Sequence, residues 1–305
     1  MVKYILKRLG MAFVTVWLVA TLTFFLMNMV PGGPFLSEKA VSPKAMKALE
    51  AKYGLDKPLF EQYLTYIGDA VHGDFGDSLK QRGRTVSKII STKFPVSARL
   101  GGMAVLVAFC IGVPLGCISA LNRGKIGDNI IIVIATCGIA VPSFVICTML
   151  MYVFGVRLGW LPTLGLSTWK HYIMPVIALA FYPTAYITRL MRSSMLDVLG
   201  QDYMRTAKAK GLNQFVSLFK HALRNAILPI VTYMGPLLAY TVTGSFIVEK
   251  IFTIPGLGSE FIGSITNRDY TVIMGTTIFL ATLMVFMNVV VDIVYKLVDP
   301  RIKLK

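Results

Sequence analysis

Apolar segments of membrane-spanning length constrain this chain more than any other feature of its sequence. A helix needs about 20 consecutive apolar residues to cross the hydrocarbon core of a bilayer. Six segments have about that length, at residues 9–30, 99–121, 129–156, 171–190, 226–248 and 271–298. The third of them is expected to be interrupted at Gly138 and at Pro142-Ser143. The chain is therefore predicted to be an all-α, polytopic membrane protein with about six transmembrane helices.

Composition supports a membrane protein and argues against other classes. Charged residues make up 15% of the 305 residues, whereas a soluble domain has about 25%. The net charge of +16 can suggest a nucleic-acid partner, but the basic residues are spread over short loops, so no nucleic acid is expected. The four cysteines lie in apolar runs and are predicted to be small buried hydrophobes. The three histidines lack metal-ligand spacing, so no metal site, cofactor or catalytic residue is predicted in this chain.

Residues 1–30 are predicted to form a cytoplasmic N-terminus and a first span. A basic start followed by an apolar run is also typical of a secretory signal peptide. The run at 9–30 is longer than the core of about 7–15 residues in such a peptide. Pro-Gly-Gly-Pro follows it in place of a small-residue cleavage site. A retained span is therefore favoured.

The polar segment 31–97 is predicted to be a small helical extracytoplasmic subdomain. Helix start and stop signals occur twice, from Ser42-Pro43 to Gly54 and from Asp56 to Gly73. A mere linker is the alternative, but apolar residues recur at helical spacing, which favours packing. They are Met46, Leu49, Tyr53, Phe60, Leu64 and Ile67.

The distribution of Lys and Arg near the span ends predicts the orientation in the membrane. Sixteen of them lie beside the two termini and in segments 122–128 and 189–224, against four in the opposite short loops. Because cytoplasmic loops carry the excess of positive charge, both termini are predicted to be cytoplasmic, including the tail 299–305. Segment 31–97 is long enough to escape this rule and is placed outside.

Segment 192–225 is predicted to be a folded cytoplasmic loop. Asp202 can cap a first short helix, Gly211 can end it with a positive φ, and Asn213 can cap a second helix. The second helix carries an apolar stripe at helical spacing, formed by Phe215, Val216, Leu218, Phe219, Ala222 and Leu223. Such a basic amphipathic element can lie on anionic lipid headgroups or dock in a groove of a partner. The residues alone leave both alternatives open.

The start of this loop resembles the signature of a transporter family. Arg205-Thr206-Ala207 followed by Gly211 is similar to the EAA–xxx–Gly motif of the permease subunits of bacterial ABC importers. The chain departs from this motif in two ways that are typical of the peptide-transporting branch. Arg205 stands in place of Glu, and the Leu-Pro pair that ends the motif comes later than usual, at residues 228–229. Other stretches resemble the dipeptide/oligopeptide/nickel group, namely GLDKP at 54–58, HGDFG at 72–76, FPVSARLG at 94–101, HALRNAILP at 221–229, PGLG at 255–258 and NRDY at 267–270. The short outer loop between the third and fourth spans is more similar to the oligopeptide branch than to the dipeptide one.

The resemblance implies a type I ABC importer transmembrane domain over residues 98–298, in the inner (plasma) membrane of a bacterial cell. Its partners would be a second homologous permease subunit, two cytoplasmic ATPase subunits that bind ATP and magnesium, and an extracytoplasmic peptide-binding protein, with a peptide as substrate. The coupling loop 192–225 would enter a groove of an ATPase subunit. The residues expected to make this contact are Arg205, Thr206, Ala207, Lys208, Ala209, Lys210, Gly211, Leu212 and Asn213.

Polar groups on the proline- and glycine-rich third, fourth and fifth spans are candidates for lining a pathway. Backbone groups that proline leaves unpaired must be shielded from lipid by protein or water, and the fifth span places several of these residues on about one face. The candidates are Ser143, Tyr182, Thr232, Pro236, Tyr240 and Thr243. Helix–helix packing through hydroxyl groups is the alternative.

The source of energy is predicted to lie outside the chain. The sequence contains no G-x-x-x-x-G-K-[ST] phosphate-binding loop. Ionisable groups deep in the spans, which mark ion routes, are nearly absent, and for Asp292 a structural pair with Lys296 is favoured. The rival hypotheses are a stand-alone secondary carrier driven by an ion gradient and a membrane scaffold without transport. A dipeptide or nickel importer is the alternative within the family.

Overall fold

The apolar runs of the sequence form helices, and these are long enough to cross a bilayer. The computed structural model describes residues 2–31, 33, 47, 51, 54–211, 213 and 216–298. Five helical stretches within them have the length and apolar character of a span, and a bent pair makes a sixth if it is counted as one. No strand occurs among the described residues, so the predicted all-α membrane fold is confirmed.

The helices are numbered here in chain order. They are α1 Val2–Met29, α2 Leu59–Val71, α3 Val86–Leu121, α4 Ile126–Ala140, α5 Ser143–Leu150, α6 Lys170–Leu199, α7 Asp202–Ala209, α8 Leu223–Ala226, α9 Leu228–Val242, α10 Phe246–Ile251, α11 Leu257–Asn267 and α12 Tyr270–Val298. Two π-helical turns, Met151–Arg157 and Ser217–Ala222, follow α5 and precede α8. The predicted tail 299–305 lies outside the described residues.

Helix α3 begins at Val86 and is longer than the span predicted at 99–121. The hydroxyl of Thr85 accepts a hydrogen bond from the amide of Lys88 at 3.2 Å and so caps the helix. Its 36 residues correspond to about 54 Å at 1.5 Å per residue, which exceeds the hydrocarbon core of about 30 Å. The first turns of α3 therefore belong to the segment that was predicted as a separate subdomain.

The third predicted span is broken, as its proline indicated. Helices α4 and α5 meet at an angle of 104°, with Val141 in an extended conformation before Pro142. Proline has no amide hydrogen and disfavours helical geometry in the residue before it. Gly138, also expected to interrupt the span, lies inside α4.

The centre of the molecule is the packing of α3 against α6. Gly112 and Gly116 of α3 face Ile187 and Met191 of α6, and a Cβ atom on Gly116 would lie only 2.5 Å from the Cβ of Met191. Small residues four positions apart let two helices approach closely. This interface is continuous with the largest cluster of buried apolar side chains, which extends to Ile230 of α9.

The predicted helix within 56–73 packs against the end of α1. The rings of Phe24 and Tyr63 lie 5.5 Å apart, and the Tyr63 hydroxyl is 2.8 Å from that of Thr21. Tyr66 stacks on Phe24, and burial raises the pKa of its phenol. Met46, Leu49 and Tyr53, which belong to the first predicted helix of this segment, lie outside the described residues.

The cysteines are only in part the buried hydrophobes that the sequence predicted. Cys147 is fully buried against α6 and α10, and Cys117 is partly buried. Cys110 and Cys137 are exposed on spanning helices. Lipid can contact such apolar surface there without the cost of exposing it to water.

Candidate functional site

A cavity of about 530 Å³ lies between the α4–α5 bend, α6 and α9. We refer to it as the tyrosine cavity. Its wall is mainly apolar, but residues that carry hydroxyl groups line it from three sides. The residues that supply them are Ser143, Tyr182, Tyr233, Tyr240, Thr241 and Ser245.

Two broken helices meet at this cavity. Val141 and Pro142 line it at the α4–α5 bend, and Ser245 lines it at the break between α9 and α10. Gly244 has a φ of 104° at the second break, a conformation that side chains other than glycine rarely adopt. Backbone that leaves helical geometry at membrane depth is tolerated where protein or a water-filled cavity shields it. The breaks therefore mark this cavity as the polar site within the spans.

A row of tyrosines connects α6 with α9 beside the cavity. The rings of Tyr182 and Tyr186 are 6.3 Å apart, and those of Tyr186 and Tyr233 are 4.3 Å apart. Tyr182 is 47% exposed and Tyr240 is 69% exposed. Aromatic rings with hydroxyl tips offer both an apolar face and a hydrogen-bonding group.

The structure brings four of the six predicted pathway residues to the tyrosine cavity, namely Ser143, Tyr182, Pro236 and Tyr240. Thr243 lies on an adjoining cavity of about 360 Å³ that Ser143 and Tyr240 also line. Its hydroxyl is bonded to the carbonyl of Tyr240 at 2.7 Å. Thr232 lines neither cavity, and its hydroxyl donates to the carbonyl of Leu228. Lining of a pathway stays a prediction for all six residues.

The predicted coupling loop 192–225 begins inside a helix, because α6 continues to Leu199. The short helix α7 follows, and Gly211 ends it with a φ of 71°, as predicted. Asp202 is the first residue of α7, where it forms an exposed ion pair with Arg205 at 3.6 Å. Asn213 accepts a backbone hydrogen bond from Ser217 at 3.0 Å, which starts the second helical piece.

The second helical piece differs from the predicted 3.6-residue pattern. Ser217–Ala222 is π-helical, and this wider winding changes which side chains share a face. Ala222 is fully buried, whereas Phe219 is 57% exposed. Phe215 lies outside the described residues. The predicted stripe is therefore split between the interior and the surface.

The predicted contact residues of the coupling loop present a mostly polar surface. Ala207 is buried with Met204, and this side anchors α7 to the bundle. The side chain of Lys208 and the whole of Leu212 lie outside the described residues. The exposed members are Arg205, Thr206, Ala209, Lys210, Gly211 and Asn213.

A buried ion pair at the base of this loop was not predicted from the sequence. Asp128 of α4 is 1% exposed, and Arg192 of α6 donates two hydrogen bonds to its carboxylate, both at 2.7 Å. The Ser119 hydroxyl and the Gly124 amide also donate to it, at 2.5 and 2.9 Å. The pair ties α6, at the first residue of the predicted coupling loop, to the α3–α4 turn. The sequence signal that could have predicted this pair is that Asp128 and Arg192 carry opposite charges at two span ends on the same predicted side of the membrane.

A second buried carboxylate, Glu249 of α10, was also missed. It is fully buried and accepts a hydrogen bond from the Ser259 amide at 2.9 Å, at the start of α11. Gly256 has no room for a side chain, because a Cβ atom there would lie 2.4 Å from the carboxylate. The PGLG stretch therefore wraps around Glu249. The side chains of Asp292 and Lys296 lie outside the described residues.

No group of His, Cys, Asp and Glu side chains suited to a metal ion occurs among the described residues. Within them, the site thus consists of a hydroxyl-rich cavity between broken helices and a polar segment connected to the bundle by a buried ion pair. Such an arrangement can bind a solute and transmit a movement.

Comparison with known families agrees with this arrangement. Residues 112–304 match the family described as the inner membrane component of binding-protein-dependent transport systems, and residues 1–101 match the N-terminal region of such components. The chain belongs to this family. As a transport-system inner membrane component, it is a multi-pass protein of the inner membrane.

Relatives of this component are similar over the full length. The dipeptide transport system permease protein DppB of Bacillus subtilis is 45% identical over 304 residues, which cover 100% of this chain and 99% of the relative. The oligopeptide transport system permease protein OppB of Haemophilus influenzae is 42% identical over 305 residues, covering 99% of this chain and 100% of the relative. These values do not separate the two branches.

A solved structure supports the predicted type I importer fold of this component. The MetNI methionine ABC transporter, in an inward-facing conformation, aligns with a TM-score of 0.55 at 16% identity. The alignment covers 69% of this chain and 96% of that chain.

Proposed function

We propose that this chain is a permease subunit of an ATP-driven importer and forms half of its pathway for peptides. The observation that carries the proposal is the identity of 45% and 42% with peptide permeases along the whole chain. The other half of the pathway would come from a second, homologous permease. Of the two peptide classes, the proposal is oligopeptides rather than dipeptides, on the resemblance of the short outer loop between the third and fourth spans.

The tyrosine cavity suits a solute that carries many backbone amides and variable side chains. Its hydroxyl groups can donate to and accept from peptide groups, while its apolar wall does not select one side chain by charge. A cavity in a single chain whose lining includes exposed side chains, here Tyr182 and Tyr240, is what half of a pathway requires. Two such chains would enclose a peptide between them.

Energy would come from two separate ATPase subunits that bind ATP and magnesium in the cytoplasm. The exposed surface of α7 and the residues up to Asn213 would enter a groove of an ATPase subunit. Because α6 leads directly into α7, and Arg192 holds α6 to Asp128, a movement of this surface would reach both α3 and α4. With the coupling loop facing the ATPase subunits, both termini would lie in the cytoplasm. Segment 31–97 would lie outside, where it would meet a peptide-binding protein.

Cross-linking from Asn213 tests the coupling part of the proposal. In a variant whose four cysteines are replaced by alanine, Asn213→Cys should form a cross-link to an ATPase subunit when a short bifunctional reagent is added to the assembled transporter. Trp169→Cys, exposed in the loop before α6, is the control and should give no such product. Cross-links from Asn213→Cys to lipid alone would contradict docking.

A further inference from the structure

The outer end of α3 carries a cleft of about 400 Å³ with a strongly basic wall. Arg84, Lys88 and Lys93 line it together with Thr92, and Pro255 closes it from the loop before α11. We refer to it as the basic cleft. It is separate from the tyrosine cavity and shares none of its lining residues.

The positive charge of this cleft is only partly neutralised within the chain. Lys93 forms an ion pair with Glu260 at 3.7 Å. Arg84 donates to the neutral amide oxygen of Gln81 at 3.1 Å, and neither Arg84 nor Lys88 has an ion-pair partner in the described part of the chain. Residues 80–93 contain five basic residues and no acidic one. Two cations in the cleft are thus available to an anionic group.

The end of the cleft that carries Arg84 and Lys88 lies too far from the apolar part of α3 to contact lipid headgroups, whereas Val96 brings its other end close to that part. Lys88 precedes the apolar segment at residue 99 by eleven residues, which is about 16 Å along a helix. The headgroup region adds only about 5–8 Å to each side of the hydrocarbon core. Nor does orientation account for these residues, because long outer segments escape the positive-inside rule. Arg84 and Lys88 are therefore placed to meet a soluble partner.

The cleft is held in a fixed shape by buried groups behind it. Ile89 packs in a buried cluster with Leu257 of α11, and the Leu257 amide donates to the Ser97 hydroxyl of α3 at 2.8 Å. Glu249 fixes the start of α11 through the Ser259 amide. A rigid site loses little conformational entropy when a partner binds.

We infer that the basic cleft is the docking site for an acidic surface of the extracytoplasmic peptide-binding protein. This inference rests on the proposed function and adds to it the charge and position of the contact. Aspartate or glutamate side chains of the binding protein would enter the cleft beside Arg84 and Lys88. Charges of this kind at the rim of an interface mainly speed association and make it dependent on salt.

The test uses the complete transporter in nanodiscs, with both permeases and the ATPases, and the peptide-loaded binding protein of the same transporter as the probe. The double variant Arg84→Glu/Lys88→Glu reverses the charge of the cleft. Glu at position 88 lies three residues after the Thr85 cap and completes a capping box, so α3 should fold as before. The control Lys57→Glu/Lys170→Glu makes the same change in charge at exposed residues outside the cleft and outside the basic stretch 80–93.

We expect the association rate at 50 mM NaCl to fall about tenfold or more in the cleft variant, with loss of its salt dependence up to 500 mM. The control should stay within about twofold of the wild type. Equal rates for the cleft variant and the wild type would overturn the inference, and so would a loss of co-purifying phosphatidylglycerol without a change in association. If the wild-type transporter bound no binding protein and Asn213→Cys captured no ATPase, the proposed function would fail as well.

Discussion

At the residue scale, the contrast between two ion pairs separates structural from surface charges. The Asp128 carboxylate receives four hydrogen bonds in a buried site. Asp202 and Arg205 form a pair whose side chains are 96% and 78% exposed. Breaking a buried pair leaves a charge without its partner, whereas water replaces an exposed partner at little cost.

Asp128→Asn is expected to lower the free energy of unfolding by about 3 kcal/mol. Asp202→Asn is the matched control and should lower it by less than about 1 kcal/mol. Thermal unfolding in detergent, followed by tryptophan fluorescence, would measure both. Similar midpoints for the two variants would mean that the buried pair does not hold α6 to the α3–α4 turn.

Sequence reasoning succeeded at residues whose signal is local and failed where partners are distant. The positive φ of Gly211 follows from a glycine at the end of a short polar helix, and the structure has it. Asp128 and Arg192 lie 64 positions apart, and only the fold brings them together. Such long-range pairings depend on packing and are not encoded in spacing along the chain.

At the element scale, the contact of α3 with α6 leaves no room for a side chain at Gly116. Gly116 has the Met191 side chain and the Thr188 carbonyl within 3 Å of where a Cβ atom would be. Gly102, on the same helix, has open space at that position. Two glycines of one helix therefore differ only in what faces them.

Gly116→Ala should destabilise the bundle, because a methyl group there forces α3 and α6 apart; overpacking of this kind costs about 1–3 kcal/mol. Gly102→Ala should be neutral, or stabilising by up to about 1 kcal/mol, since alanine favours helix over glycine. Unfolding midpoints of the two variants give the comparison. A Gly116→Ala midpoint equal to that of Gly102→Ala would show that the interface can open without cost.

The positions of most elements could be predicted from the sequence, but several of their boundaries could not. Long apolar runs gave the spans, and Pro142 gave the bend after α4. Helix α3 was predicted too short because hydropathy defines where a span enters lipid, whereas Thr85 defines where the helix begins. The π-helical turn at Ser217–Ala222 could not be predicted, because the apolar residues there recur at ordinary α-helical spacing. Ala222 is buried in the bundle through this wider turn.

At the scale of the whole molecule, three separate features define how the chain would work. The basic cleft lies at the N-terminal end of α3, the tyrosine cavity lies between broken helices, and the polar segment around Gly211 follows α6. The α3–α6 packing and the pair of Asp128 with Arg192 connect these features. Under the proposed function, the chain would form a passive half of the pathway that separate ATPase subunits move.

Uptake by proteoliposomes tests this central claim most directly. A labelled tetrapeptide would be offered with the peptide-binding protein to vesicles that hold either this chain alone or the complete transporter with its ATPases. The account predicts uptake only by the complete transporter and only with ATP and magnesium present. Accumulation of the peptide by this chain alone under an ion gradient would contradict it.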